Sequence, residues 1–169
     1  SVQLTQAGPG EQIAAQAKGQ KVVCIGIAYA GFSQSLVLSK AAAAKTGVSP
    51  QAPLADKLKA LQGLTIATTS ATASPTIALK RAAATYGVEQ RFTYMTQPTF
   101  AEALERGAID GYIGSAPFST MGIAKGLGVM WANGPGREFP KEAAPANAGL
   151  LFVMRDYAQA NPEVIRKLV

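Results

Sequence analysis

Histidine is absent from the 169 residues, and cysteine and tryptophan occur once each, as Cys24 and Trp131. Without histidine the chain cannot assemble a Ser-His-Asp triad or a histidine-ligated metal, and one cysteine makes neither a Cys-rich zinc site nor an internal disulfide. No catalytic residue and no metal ligand are therefore assigned, and no cofactor is expected. Cys24 lies in the apolar run KVVCIGIAYA and reads as a small buried strand residue; it does not decide the redox compartment. Charge is sparse as well, at 15% of residues. No apolar stretch approaches the roughly 20 residues of a membrane helix, and the amino terminus lacks a basic-then-apolar export pattern. The expectation is a soluble chain from which any export signal has been removed or was never included.

What is present suffices for a folded domain: 48% of residues are hydrophobic, enough to bury a core. Lysine and arginine number 16 against 10 acidic residues, a net charge of +6, which suits an anionic ligand or a weak attraction to nucleic acid. The basic residues are scattered from Lys18 to Lys167 without an arginine-rich arm or interleaved aromatics, so no nucleic-acid partner is expected.

GPGEQIAAQAKG predicts a short helix, with Pro9 in its first turn, Glu11 at the positive end of the dipole and Gly19 as the stop. KVVCIGIAYA predicts a buried strand over 21–28, and SQSLVLSK a second over 33–40. The Ala/Gly/Pro-rich stretch 41–53 reads as a connector, and LADKLKALQG as a helix ending at Gly63. Beyond it the pattern alternates: strand 64–68, a helix capped by Ser74 and opened by Pro75, strand RFTYM, a helix begun by Pro98 and ended at Gly107, strand 109–115, helix PFSTMGIAKG, strand LGVMWA. Strands separated by such helices indicate crossovers and a parallel sheet with helices on both faces, an α/β domain. A long Gly/Pro/charged loop from 133 to 148 precedes the strand GLLFVMR and a helix with Asn161 as cap before Pro162. The chain stops about two turns into that helix, which suggests a piece of something longer.

LQGLTI (61–66), TTSATASP (68–75) and ALERGAIDGYIGSAP (103–117) carry a resemblance. In this order they are similar to the second lobe of periplasmic solute-binding proteins of the nitrate, sulfonate and taurine ABC-transporter type. In that family L-x-G-x-x-I opens a strand, a Ser/Thr-rich turn opens a helix, and A-L-x-x-G-x-I-D-A ends near a proline. The resemblance is good over 54–132, fair over 149–169 and loose before residue 49. It implies a type II two-lobed α/β fold with parallel-rich sheets, flanking helices and two hinge crossings. Residues 1–50 would supply part of lobe 1 and the first hinge strand, 51–133 lobe 2, and 134–169 the return crossing with more of lobe 1. Two departures stand out: TTSATAS has no glycine where relatives often do, and Arg91 stands where many carry Asp. The resemblance further implies a monomer in the periplasm, a small-molecule ligand, a membrane permease as partner, and no enzyme activity.

Ligands of open α/β sheets sit beyond the carboxyl ends of the strands, and three turns qualify, at 68–74, 97–99 and 114–118. The first combines the three free N–H groups of a helix opened by Pro75 with the hydroxyls of Thr69, Ser70, Thr72 and Ser74, Ala71 and Ala73 lying between them; this is a cradle for a carboxylate, sulfonate or phosphate. Its plain alternative is an N-cap at Ser74 beside solvated hydroxyls. Ser115, Ala116 and Pro117 form a second candidate wall, or an ordinary strand-to-helix turn. In AYAGFSQS, Tyr29, Ser33 and Gln34 offer an aromatic face, a hydroxyl and an amide for the organic part of a ligand, or else cover the sheet end. Glu102 and Glu105 read as a solvated helix edge, and AAAAKTG lacks the glycines and hydroxyl of a phosphate loop; the resemblance implies for Asp110 a turn-shaping position with no chemical role. The expected function is capture of a small anionic organic solute by closure of two lobes, with neutral heterocyclic ligands as an alternative. Rival readings are the effector-binding domain of a transcription regulator and an enzyme of the same fold, such as a thiamine-pyrimidine synthase; the missing histidine counts against the latter.

Overall fold

The computed structural model describes residues 3–140 and 147–169, and in it the chain divides into two units, Phe32–Ala144 and Ser1–Gly31 with Pro145–Val169. In chain order the elements are β1 (Leu4–Ala7), α1 (Pro9–Ala17), β2 (Val22–Ala30), β3 (Gln34–Ser39), α2 (Lys40–Thr46), α3 (Leu54–Lys59), β4 (Thr65–Thr68) and α4 (Ser74–Ala84). They continue with β5 (Arg91–Tyr94), a 3-10 turn (Gln97–Thr99), α5 (Phe100–Glu105), β6 (Gly111–Ser115), α6 (Phe118–Ala124), β7 (Gly128–Asn133), β8 (Asn147–Met154), α7 (Arg155–Ala160) and α8 (Pro162–Leu168).

The larger unit is three layers deep. Its sheet has the order β5-β4-β6-β3-β7. Successive side chains of a strand point to opposite faces, and here they sort into two cores. Leu36, Leu38, Ile66, Ile113 and Trp131 pack with Leu58, Leu61 and the Ala78, Leu79, Ala82, Ala83 stripe of α4. Val37, Ala67 and Tyr112 pack on the other face with Phe100 and Leu104 of α5. Covered on both sides, β3 is buried along almost its whole length, and full burial of each leucine there contributes about 1.5–3 kcal/mol. The helix-crossover pattern predicts a parallel sheet, and β4 does pair parallel with β5 and β6, whereas β3 is antiparallel to β6 and β7. The crossover through α6 carries the chain from β6 to β7 and leaves a slot between them, and β3 fills it running the other way.

The smaller unit holds a three-stranded sheet, β1-β8-β2, antiparallel throughout. Phe152 and Val153 of the central strand are buried. The fold class is α/β, as the sequence suggested.

Several local expectations change. The stretch 41–53 is not simply a connector: Ser39 caps α2, its hydroxyl accepting from Ala42 N at 3.0 Å, and Gly47 ends it at φ +66. An alanine run is a strong helix former once a cap and a left-handed stop flank it. SQSLVLSK does form a strand, which lies inside the five-stranded sheet between β6 and β7. Cys24 is exposed rather than buried, because β2 is an edge strand whose pairing with β8 is interrupted by register shifts beside it. Asn161 makes no cap bond; its amide donates to the Tyr157 carbonyl at 3.0 Å, closing α7, a helix that Asp156–Ala160 did not announce. Strand β1 was also unannounced. Part of the 133–148 loop lies outside the described residues; its start is a turn in which Asn133 Oδ1 accepts from Gly136 N at 3.1 Å.

Candidate functional site

Parallel pairing brings the carboxyl ends of β5, β4 and β6 to one end of the sheet, at Tyr94, Thr68 and Ser115. Strand β3 runs the other way, so its first residue, Gln34, stands opposite Ser115. Ser33, Gln34, the 69–74 bend and Ser115–Pro117 therefore share that end. Tyr29 belongs to the smaller unit, where its ring lies against Gly149 of β8, a position with no room for a Cβ.

The bend after β4 is built by hydroxyls the sequence did not single out. Thr76 Oγ1 donates to the Ser70 carbonyl at 2.6 Å and lies 2.8 Å from Thr68 Oγ1. A hydroxyl has one proton; that of Thr76 is spent on Ser70, so Thr68 is the donor to Thr76. This buried relay ties the end of β4, the bend and the first turn of α4 together. It also displaces the expected cap: Ala73, at φ −62 and ψ 138, is the N-cap and Ser74 the first helical residue. Ala73 and Ser74 are buried, Ser70 is half-buried, and Thr69, Ala71 and Thr72 are exposed. The first backbone bond into the helix is from Ile77 N to Ala73 O, at 3.1 Å, so the N–H groups of Ser74 and Thr76 precede the intrahelical ladder at the positive end of an 11-residue helix. Ser70 Oγ and Thr72 Oγ1 are 3.4 Å apart beside them. Thr76→Val, which keeps the shape and removes the relay, is expected to lower unfolding free energy by about 1–3 kcal/mol because two buried polar groups lose their partner, with Thr76→Ser near wild type; urea unfolding of the two variants is the check.

Gln97 joins the other two turns. Its Oε1 accepts from Ser115 N at 2.9 Å and from Ser115 Oγ at 3.1 Å. Gln97, which follows β5, thus reaches the end of β6, two strands away in the sheet. Gly114 makes the space: a Cβ there would stand 2.9 Å from Gln97 Oε1 and 3.1 Å from the Phe100 ring. Ala116 and Pro117 are exposed. Gln34, 8% exposed, donates through Nε2 to Ser33 Oγ at 3.2 Å, and its carbonyl is backed by Gly134, where no Cβ fits. The turn residues were visible as a class, but Thr68, Thr76 and Gln97 were not assigned. The one available signal was a hydroxyl residue, Thr76, on the apolar face of a helix.

The remaining polar clusters have structural explanations. Asp110 Oδ2 accepts from Thr65 N at 2.8 Å, tying the starts of β4 and β6 together. Glu102 is exposed and pairs with Arg106. A recess of about 540 Å³ lined by Pro50, Leu54, Lys57, Met130 and Glu138 contains none of the sequence-predicted site residues. In it the buried Lys57 ammonium lies 3.1 Å from Glu138 Oε2, which also accepts from Asn133 N at 3.0 Å, so the charge is matched. Among the described residues no group of three His, Cys, Asp or Glu could hold a metal, and no helix is long and apolar enough to cross a membrane.

Solved structures with this fold include the periplasmic aliphatic sulphonate-binding protein SsuA from Escherichia coli, at 20% identity and a TM-score of 0.67 over 99% of this chain and 52% of that one. The alkanesulfonate-binding protein SsuA from Xanthomonas axonopodis pv. citri, bound to MOPS, matches at 20% identity and 0.72, over 99% of this chain and 53% of that one. The periplasmic nitrate-binding protein NrtA from Synechocystis PCC 6803 matches at 11% identity and 0.73, over 96% of this chain and 43% of that one. The chain thus spans about half the length of these structures. No curated protein matches it in sequence. The model of the NMT1-like family matches residues 2–169, and the chain belongs to that family.

Proposed function

We propose that the chain is part of the substrate-binding component of an ABC importer that works in the periplasm, capturing a small anionic organic solute between two lobes and presenting it to a membrane permease. The larger unit is read as most of one lobe and the smaller as part of the other. The observation that carries this reading is that the start of α4, the Ser70 and Thr72 hydroxyls and the Gln97–Ser115 pair lie at the same end of the five-stranded sheet, at the carboxyl ends of the neighbouring strands β4 and β6. N–H groups at a helix start complement an anion without a buried lysine or arginine, and the likeness in fold to sulfonate- and nitrate-binding proteins supports the same ligand class. Nothing in this arrangement supplies a nucleophile or a general base, so binding is the activity proposed.

The test is calorimetric titration of the intact protein that carries this chain with methanesulfonate, nitrate and acetate. At least one is expected to bind, and Ser70→Ala or Thr72→Val is expected to weaken it about tenfold, the value of one hydrogen bond to a charged group. Absence of heat with all three would remove the anion reading.

A further inference from the structure

The orientation of one amide follows from its partner. A backbone N–H can only donate, so the Gln97 atom 2.9 Å from Ser115 N must be the carbonyl oxygen, and the side-chain amide cannot be flipped. The same oxygen receives the Ser115 hydroxyl, so that proton is also consumed. Gln97 Nε2 is left with two protons and no protein acceptor among the described residues. Its Oε1 sits against Gly114, where a Cβ would stand 2.9 Å away, so the amide lies at the carboxyl end of β6, the strand beside β4.

We propose that Gln97 is a specificity-determining residue of the site described above: it fixes Ser115 through Oε1 and offers Nε2–H₂ to the ligand, so the site selects solutes whose oxygens only accept hydrogen bonds. This rests on the anion reading and sharpens it. Ser115, although a hydroxyl residue facing the same end of the sheet, then contributes no donor to the ligand, since its one proton is held by Gln97.

Gln97→Glu separates the two roles. A carboxylate oxygen still accepts from Ser115 N and Oγ, so the purely structural function survives, while the ligand-facing donor becomes an acceptor with a negative charge. Titrations of the intact protein and the variant with methanesulfonate and nitrate, both ionised throughout, are run between pH 7 and pH 4. At pH 7 the variant is expected to bind about thirtyfold more weakly or worse. The deficit should shrink as pH falls through the ordinary glutamate range near 4.3, where the protonated carboxyl becomes a donor again. Wild-type affinity should stay flat, because among the described residues no titratable side chain hydrogen-bonds to Gln97. Gln97→Leu, without the added charge, is expected to lose about tenfold at every pH, and it decides the matter if the glutamate variant does not fold. Wild-type binding with both variants within twofold of it at pH 7, or a glutamate deficit that ignores pH, would overturn the role of Gln97 alone. No binding by the wild type would instead overturn the anion reading on which it rests.

Discussion

Replacing Trp131 by alanine is expected to lower the unfolding free energy by about 3–5 kcal/mol, among the largest losses available in this chain. The indole is fully buried in the sheet face that packs against α3 and α4. It also closes a helix end. The last four carbonyls of a helix lack intrahelical partners; in α3 those of Asp56, Leu58 and Lys59 are taken by Ala60, Leu61 and Gln62 N–H groups, and that of Lys57 accepts from Trp131 Nε1 at 2.9 Å. Alanine therefore leaves both a cavity and an unpaired buried carbonyl. Trp131→Phe restores most of the volume but not the donor, and should cost about 1–3 kcal/mol. Urea unfolding followed by circular dichroism measures both, since the alanine variant removes the only tryptophan. A Trp131→Ala loss below 1 kcal/mol would refute this account.

Phe100→Ala is expected to cost a similar 3–5 kcal/mol, with a consequence at the candidate site. The ring is fully buried, stacks on Tyr112 at 5.1 Å between centroids, and lies under Gly114 at the end of β6. Its removal opens space beside Gly114, against which Gln97 Oε1 also lies, so loss of anion affinity should accompany loss of stability. Tyr112 supplies an internal report. Burial holds its phenol above the ordinary value near 10, an effect partly offset by the Gly122 N–H beside the oxygen. Water entering the Phe100 cavity should bring that titration back down. Ultraviolet difference titration of the alanine variant would show the shift, and Trp131 fluorescence would report the stability. An unchanged Tyr112 titration would mean the cavity collapses instead.

Much of the architecture was legible in local pattern. Pro75, Pro98 and Pro162 announced helix starts, Gly63 and Gly107 announced stops, and the alternation of strands and helices announced an α/β fold, because these residues restrict or release φ regardless of tertiary context. The pattern failed where a residue's state depends on its neighbours in space. Cys24 sits in a run as apolar as that of β3, yet one strand is an exposed edge and the other is covered on both faces. Ser74 carries the side chain of a cap but enters the helix, since Thr76 already holds the bend through Ser70.

For the site the division is similar. From sequence, the hydroxyl-rich bend 69–74 before a proline-led helix reads as a cradle for an anion and 115–117 as a second candidate wall, since cap chemistry and free N–H groups are properties of a few consecutive residues. Only the tertiary structure placed Gln34 opposite Ser115, made Thr68 donate to Thr76, and sent Gln97 across a strand to Ser115. Those pairings join residues 8 to 81 positions apart, and strand order and direction, set by how the two apolar faces are covered, decide which of them meet.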